Sequence, residues 1–231
     1  MKTEEIIEYE YNNHGTSWTR NQFFDSQGYL ILKNICDPEK LFHPVPEERG
    51  LLNWKGSNRL DQFTHDEVEN QVNGSVARYW HPQYRKIHSE IRSTIEFAIG
   101  RKLYNTYYYD RFYFPGQELK KHTDRPACEI SVTIHVSTNI KESWPIWIKT
   151  PDVFEDGSKK KLLSTGENKY VHLGAGDGMV YKGCERPHWR DPMPGLVQSK
   201  LDKDLDLYYH QIFFHYVLQD GFRAQYAWDM I

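Results

Sequence analysis

The hydrophobic period of this chain changes once, at Gly100, and that change limits the folds open to it. Before it, in "HPQYRKIHSEIRSTIEFAIG", Tyr84, Ile87, Ile91, Ile95 and Phe97/Ala98 recur at the spacing of one helix face, and Gly100 supplies a C-terminal stop. After it the period is two. "KLYNTYYYDRFYF" runs into a Pro115-Gly116 turn, and "CEISVTIHVST", "WPIWIKT", "KYVHLGAGDGMVYKG" and "LYYHQIFFHYVL" follow, rich in aromatic and β-branched residues. A helical region followed by several strands with turn breaks predicts a mainly β fold, a barrel or sandwich with helices on one side.

Upstream, "SWTRNQFFDSQGYLILKNI" predicts a helix capped by Ser17 or Thr19 that feeds a short strand after Gly28. Residues 37–75, with "HPVPEERG" and "NWKGSNRLD", read as loops and turns able to form a lid, and "EDGSKKK" reads as a solvated hairpin tip. All-β barrels commonly reach this length as one unit, so one domain over 1–231 is expected: a helical and loop region over 1–100 and a β core over about 103–220.

A formal net charge of −3 is not the footprint of a protein that grips phosphate backbones, so no nucleic-acid partner is expected. Cys36, Cys128 and Cys184 cannot all pair and match no C-x-x-C zinc motif, which fits a reducing compartment. The opening "MKTEEIIEYEYNNHG" is acidic and lacks an apolar core, and no run of about 18 apolar residues occurs. A soluble, cytoplasmic protein with no membrane association is the expectation. The oligomeric state has no signature in these residues.

The chemistry gathers in "PGQELKKHTDRPACEISVTIHV". His122 and Asp124 stand two positions apart at the head of an alternating run, and in a strand residues i and i+2 share a face. Farther on come the Gly-rich turn and strand "GAGDGMVYKG" and then "CERPHWRD", which brings His188 to the end of that strand. Two imidazoles and one carboxylate occupy one face of an octahedron and leave three positions for a chelating cosubstrate and dioxygen, a set suited to non-haem Fe(II). Two other readings stay open: a polar surface turn in "KKHTDR", and a zinc hydrolase, for which no general-base carboxylate lies nearby in sequence.

"YFPGQELKKHTD", the strand "CEISVTIHV", the turn "GAGDGMVYKG" and His188, in that order, resemble the core of the Fe(II)/2-oxoglutarate-dependent dioxygenases, in particular their prolyl hydroxylase-like and phytanoyl-CoA hydroxylase-like branches. "FFDSQGYLILKN" also resembles the usual entry segment of such enzymes. The resemblance implies a double-stranded β-helix (jelly-roll, cupin-like) core with flanking N-terminal helices. It implies His122, Asp124 and His188 as metal ligands, Fe(II) as the metal, and 2-oxoglutarate and O2 as cosubstrates. The implied reaction yields succinate and CO2 while hydroxylating a C–H bond of a small-molecule or peptide substrate. Related halogenases replace the carboxylate ligand with a small residue, and Asp124 is not so replaced.

The pattern departs from the family at the far carboxylate of the cosubstrate. An Arg or Lys about ten residues after the final His usually grips it, because a guanidinium fork matches a carboxylate. Here that distance falls on Gln198, and "LYYHQIFFHYVL" holds no Arg or Lys. Arg190 is the first substitute, with Lys200 and His210 behind it. By the same resemblance Tyr113 and His135 take the places of cosubstrate-contacting tyrosines. The missing cation keeps an alternative in play, a cupin-like metal-binding protein that does not use 2-oxoglutarate.

Overall fold

The computed structural model describes residues 19–41, 63–65, 71–72, 75–155, 161–195 and 207–228. Ser17, Gln198, Lys200, most of the expected lid and the centre of the "EDGSKKK" tip lie outside the described residues.

The first helix, α1 (Arg20–Gln27), starts at a capping box: Gln22 N–H donates to the Thr19 hydroxyl, and the Gln22 side chain accepts from Thr19 N–H at 2.8 Å. Gly28, at φ 81°, closes it in the left-handed conformation a residue with a Cβ disfavours. The chain then runs through β1 (Tyr29–Leu32), β2 (Phe63–His65) and β3 (Val76–Tyr79) into α2 (Pro82–Ile99). Ten strands follow: β4 (Leu103–Tyr113), β5 (Leu119–His122), β6 (Ile130–Thr138), β7 (Ile146–Lys149), β8 (Val153–Phe154), β9 (Leu162–Ser164), β10 (Asn168–Val171), β11 (Gly178–Lys182), β12 (His188–Arg190) and β13 (Tyr209–Leu218).

Seven strands form one sheet in the order β1-β11-β6-β13-β4-β3-β2, four form a second in the order β10-β7-β12-β5, and β8 and β9 make a separate hairpin. Every pairing is antiparallel. From β4 to β7 the chain changes sheet with each strand. It stays in the small sheet for β10 and then alternates again to β13. That winding is the double-stranded β-helix. "KYVHLGAGDGMVYKG" therefore supplies two strands in different sheets, and His188 opens a third, β12, rather than ending β11.

The Gly-rich turn between β10 and β11 is held by one carboxylate. Asp177 Oδ2 accepts from Gly174 N–H at 2.9 Å and pairs with the Lys33 ammonium, while Oδ1 accepts from Asn34 N–H at 3.0 Å. Two segments far apart in sequence thus share one anion.

Helix α2 packs Tyr84, His88, Ile91, Ile95, Ala98 and Ile99 inward and ends at Gly100, at φ 68°. Two positions differ from the expected stripe. Phe97 is 42% exposed beneath the Arg20 guanidinium, 4.3 Å from the ring, whereas His88 is buried. His88 is tolerated there because Nε2–H donates to the His215 carbonyl at 3.0 Å and its ring stacks on Phe214 at 5.2 Å. Among the described residues no helix is long and apolar enough to cross a membrane.

Burial pushes His88 down to about 3, with the nearby His215 and Arg92 charges acting in the same direction against the His215 carbonyl. The folded pKa lies below the unfolded one, so this contribution is complete above about pH 6.5 and is lost as the pH falls toward 3. Denaturant unfolding between pH 7 and 4 should show stability falling, with His88 accounting for about 1.4 kcal/mol per pH unit below 6.5. In His88→Phe the slope should shrink by about one proton; an unchanged slope would show that His88 is not the group being charged.

Candidate active site

Strand pairing brings the two histidines together. β5 ends at His122, β12 begins at His188, and the two are direct cross-strand partners in the small sheet, with rings 4.3 Å apart. His122 Nδ1 lies 2.7 Å from the Lys120 carbonyl and His188 Nδ1 lies 3.0 Å from the Arg186 carbonyl. A carbonyl only accepts, so each Nδ1 carries a proton as donor and each Nε2 is turned toward the site. This backbone anchoring of the second nitrogen is how metal-ligating histidines are commonly oriented.

Asp124 is not on the strand. It lies just beyond β5, fixed by its own N–H, which donates to the Gly183 carbonyl at 2.9 Å. Its Oδ1 stands 3.4 Å from His122 Nε2 and 3.5 Å from His188 Nε2, and its Oδ2 accepts from the Ser131 hydroxyl at 2.7 Å. Burial alone would raise this carboxyl, but the His188 charge and the two neighbouring imidazoles outweigh it and hold Asp124 well below the usual range. For His188 burial acts downward, and the charge and hydrogen bond of Asp124 win, so its pKa is raised. The donor atoms of all three residues lie within 4.8 Å of one another. Two neutral-capable imidazoles and a carboxylate, oriented by backbone carbonyls, fit a divalent metal ion.

Beneath the three lies a supporting layer that the sequence reading did not include. His215, on β13, has Nδ1 3.0 Å from the Ser131 hydroxyl, and burial keeps the imidazole near pKa 4. Tyr107 Oη lies 3.3 Å from Cys128 Sγ, and the Tyr107 ring stacks on His215 at 4.6 Å. Gly183 has no room for a side chain: a Cβ there would stand 2.3 Å from Asp124 Oδ2 and 2.3 Å from the Cys128 carbonyl.

Deeper in the barrel, Tyr113, His135 and Arg190 share one neighbourhood through Trp144 and Tyr209. The Arg190 guanidinium is buried, 4.6 Å over the Trp144 ring and 4.7 Å over the Tyr209 ring. Tyr209 stacks on His135 at 4.3 Å, and Tyr113 meets Trp144 edge-on at 5.0 Å. Arg190 Nη1 donates to the Trp144 carbonyl and Nη2 to Tyr209 Oη. Arg190 Nε, Tyr113 Oη, His135 Nε2, Thr133 Oγ1 and both amide atoms of Gln211 are buried without a hydrogen-bond partner among the described residues. Native interiors rarely leave so many polar atoms unmet, and the set fits a polar ligand or ordered water.

His135 Nδ1 donates to the Leu173 carbonyl at 2.8 Å, and burial, with Arg190 adding to it, lowers its pKa. In that tautomer Nε2 offers a lone pair rather than a proton.

His210 lies elsewhere. Neighbouring strand residues face opposite ways, and while Tyr209 and Gln211 point into the barrel, His210 points to the helix side, with Nε2 2.8 Å from Asp110. Two inward residues were missed, Gln71 and Arg111. Arg111 was readable, because it continues the alternation Tyr107, Tyr109, Arg111, Tyr113 along β4.

No family model matches this sequence, and no curated protein matches it. Solved structures do. An oxidoreductase of the 2OG-Fe(II) oxygenase family from Burkholderia pseudomallei superposes with a TM-score of 0.55 over 88% of this chain and 91% of its own, at 10% identity. The non-haem α-ketoglutarate-dependent epimerase SnoN from nogalamycin biosynthesis gives 0.55 over 84% and 79%, at 12% identity. HygX from Streptomyces hygroscopicus, with nickel, 2-oxoglutarate and hygromycin B bound, gives 0.54 over 86% and 87%, at 10% identity. The class defined by this architecture is the double-stranded β-helix. More particularly, the chain has the fold of the Fe(II)/2-oxoglutarate oxygenases.

Gly183→Ala should push Asp124 off its position. The expected cost is about 1–3 kcal/mol of stability, the usual range for overpacking, or a fall in Tm of roughly 2–12 °C for a chain of this size. Calorimetry and metal uptake by the same variant check it. A Gly183→Ala protein with unchanged Tm and uptake would contradict the contact.

Proposed function

We propose that this chain is an Fe(II)- and 2-oxoglutarate-dependent oxygenase that hydroxylates a small molecule or a free or peptidyl amino-acid side chain. The observation that carries the reading is the pairing of two features. Two imidazole nitrogens and one carboxylate converge at one end of a double-stranded β-helix, and a buried guanidinium whose Nε–H has no partner among the described residues lies deeper in the same barrel. His122, Asp124 and His188 would hold the metal. When bound, Fe(II) with 2-oxoglutarate and O2 supplies an oxidant for an unactivated C–H bond. Solved neighbours with this fold include one with nickel and 2-oxoglutarate bound.

The chain's own residues orient and hold. Lys120 and Arg186 carbonyls fix the two imidazoles, and Ser131 and the Gly183 carbonyl fix Asp124. Arg190, through Nε–H, and Tyr113, through its hydroxyl, are donors suited to the far carboxylate of the cosubstrate. His135 stands beside them as an acceptor in its present tautomer and serves to keep the Tyr209 ring against Arg190.

A second reading has one observation in its favour. The inward residues of β13 are Tyr209, Gln211, Phe213 and His215, with no cation among them, and both Arg190 terminal nitrogens already donate within the protein. A cupin-like metal protein that does not take 2-oxoglutarate has no need of such a cation.

Anaerobic addition of Fe(II) and then 2-oxoglutarate separates the two. The oxygenase reading expects the weak visible charge-transfer band of a chelated keto acid, lost in His122→Ala, Asp124→Ala and His188→Ala. Iron uptake with no band supports the cupin-like protein. Arg190→Gln should raise the 2-oxoglutarate concentration needed for half the band by about 10- to 100-fold, the range of a charge-assisted hydrogen bond, and Tyr113→Phe by roughly 2- to 10-fold. An unchanged requirement in Arg190→Gln would move the anchor elsewhere.

A further inference from the structure

Gln71 reaches the triad from outside the core strands. Its Nε2 lies 2.8 Å from His122 Nε2, and Arg111 Nη1 and Nη2 donate to its Oε1 at 3.3 and 3.4 Å. The amide orientation is fixed by chemistry. A guanidinium only donates, so the oxygen belongs on the Arg111 side and the amide NH2 faces His122; in the tautomer whose Nδ1 donates to the Lys120 carbonyl, His122 Nε2 accepts from it. The neighbouring Val72 is buried in the same apolar cluster as Tyr107, Tyr109, Tyr113 and Phe213, which seats the segment at the barrel mouth.

One imidazole lone pair cannot serve an amide proton and a metal ion together. Resting on the metal-site reading above, we propose that Gln71 is a latch on the metal face: a positioning residue that competes with the metal for His122 Nε2 and is braced by Arg111. Metal uptake then requires that the Gln71 amide let go of His122 Nε2. The released N–H is left beside Arg111 as a donor directed at the coordination face. Uptake at the site and release of the Gln71 amide become one event, linked through a single hydrogen bond.

The test uses the full chain stripped of metal and Co(II) as the probe, followed optically, with Zn(II) for nuclear magnetic resonance. Gln71→Met keeps the volume and removes the amide; it should bind Co(II) roughly 3- to 10-fold more tightly than the wild type, the net worth of one hydrogen bond. Gln71→Leu should act in the same direction, which guards against a failure of one variant to fold. In the wild type, the Gln71 side-chain NH2 signals, assigned by their loss in Gln71→Met, should shift on Zn(II) addition, a change that a purely structural role would not produce. If Co(II) uptake depends on His188 but Gln71→Met and Gln71→Leu bind equally or more weakly, or the NH2 signals stay put, the latch is overturned and the metal site stands. If the wild type binds Co(II) no better than His188→Ala, the metal reading fails and takes the latch with it.

Discussion

A buried carboxylate is costly unless every lone pair is used, and the barrel mouth is organised around meeting that demand for Asp124. One oxygen faces two imidazoles and the other takes the Ser131 hydroxyl. Each of those groups is held by something else: His122 and His188 by backbone carbonyls, and Ser131 by β6, with His215 against its hydroxyl. The carboxylate itself is placed by a main-chain bond to Gly183, at a point where a glycine is required for space. Four segments of the chain therefore converge on one anion. The pairing of β5 with β12 that sets His122 opposite His188 is the register on which the others depend.

The large sheet carries two polar systems, one on each face, and strand alternation keeps them apart. On the helix side, Arg78 grips Asp110 through Nε at 3.0 Å and Nη2 at 2.6 Å, and Tyr84 and His210 complete the carboxylate's partners. For Asp110, burial acts to raise the pKa, and the His210 hydrogen bond with the Arg78 charge overcomes it, so the group is lowered. The Tyr84 hydroxyl also lies 3.1 Å from the Leu41 carbonyl, which ties the segment ending at Leu41 to the sheet. One residue along the same strands, Arg111 and Gln211 point into the barrel. The first system fastens the helical layer, and the second lines the site.

That alternation explains what could be read from the sequence. The period change at Gly100 yielded the helix and the strand series because burial on one face is written directly into residue spacing. The order of His122, Asp124 and His188 could be read for the same reason, although Asp124 reaches its place from a loop and not by strand alternation. His210 was placed wrongly as a candidate because parity along β13 depends on where the strand starts, and "LYYHQIFF" offers aromatic residues on both faces. Arg111 had a signal that was passed over. Gln71 had none, since its place beside His122 and Arg111 is set by contacts with residues far away in sequence, which nothing local encodes.

The position of the buried cation follows from the same constraints. An inward site on β13 is filled by Tyr209, whose ring is already committed on two sides, to His135 and to Arg190. A guanidinium in that place would stand against Arg190, and two such charges in one apolar pocket would repel each other in a low dielectric. Placing the charge on β12, in the smaller sheet, keeps a single cation in the pocket and puts it two residues from His188 on the same strand face. In that arrangement one three-residue strand presents both an imidazole at the mouth and a guanidinium deeper in. The spacing between the His188 imidazole and the Arg190 guanidinium is then set by two residues of β-strand, about 6–7 Å of backbone, and not by the packing of separate strands.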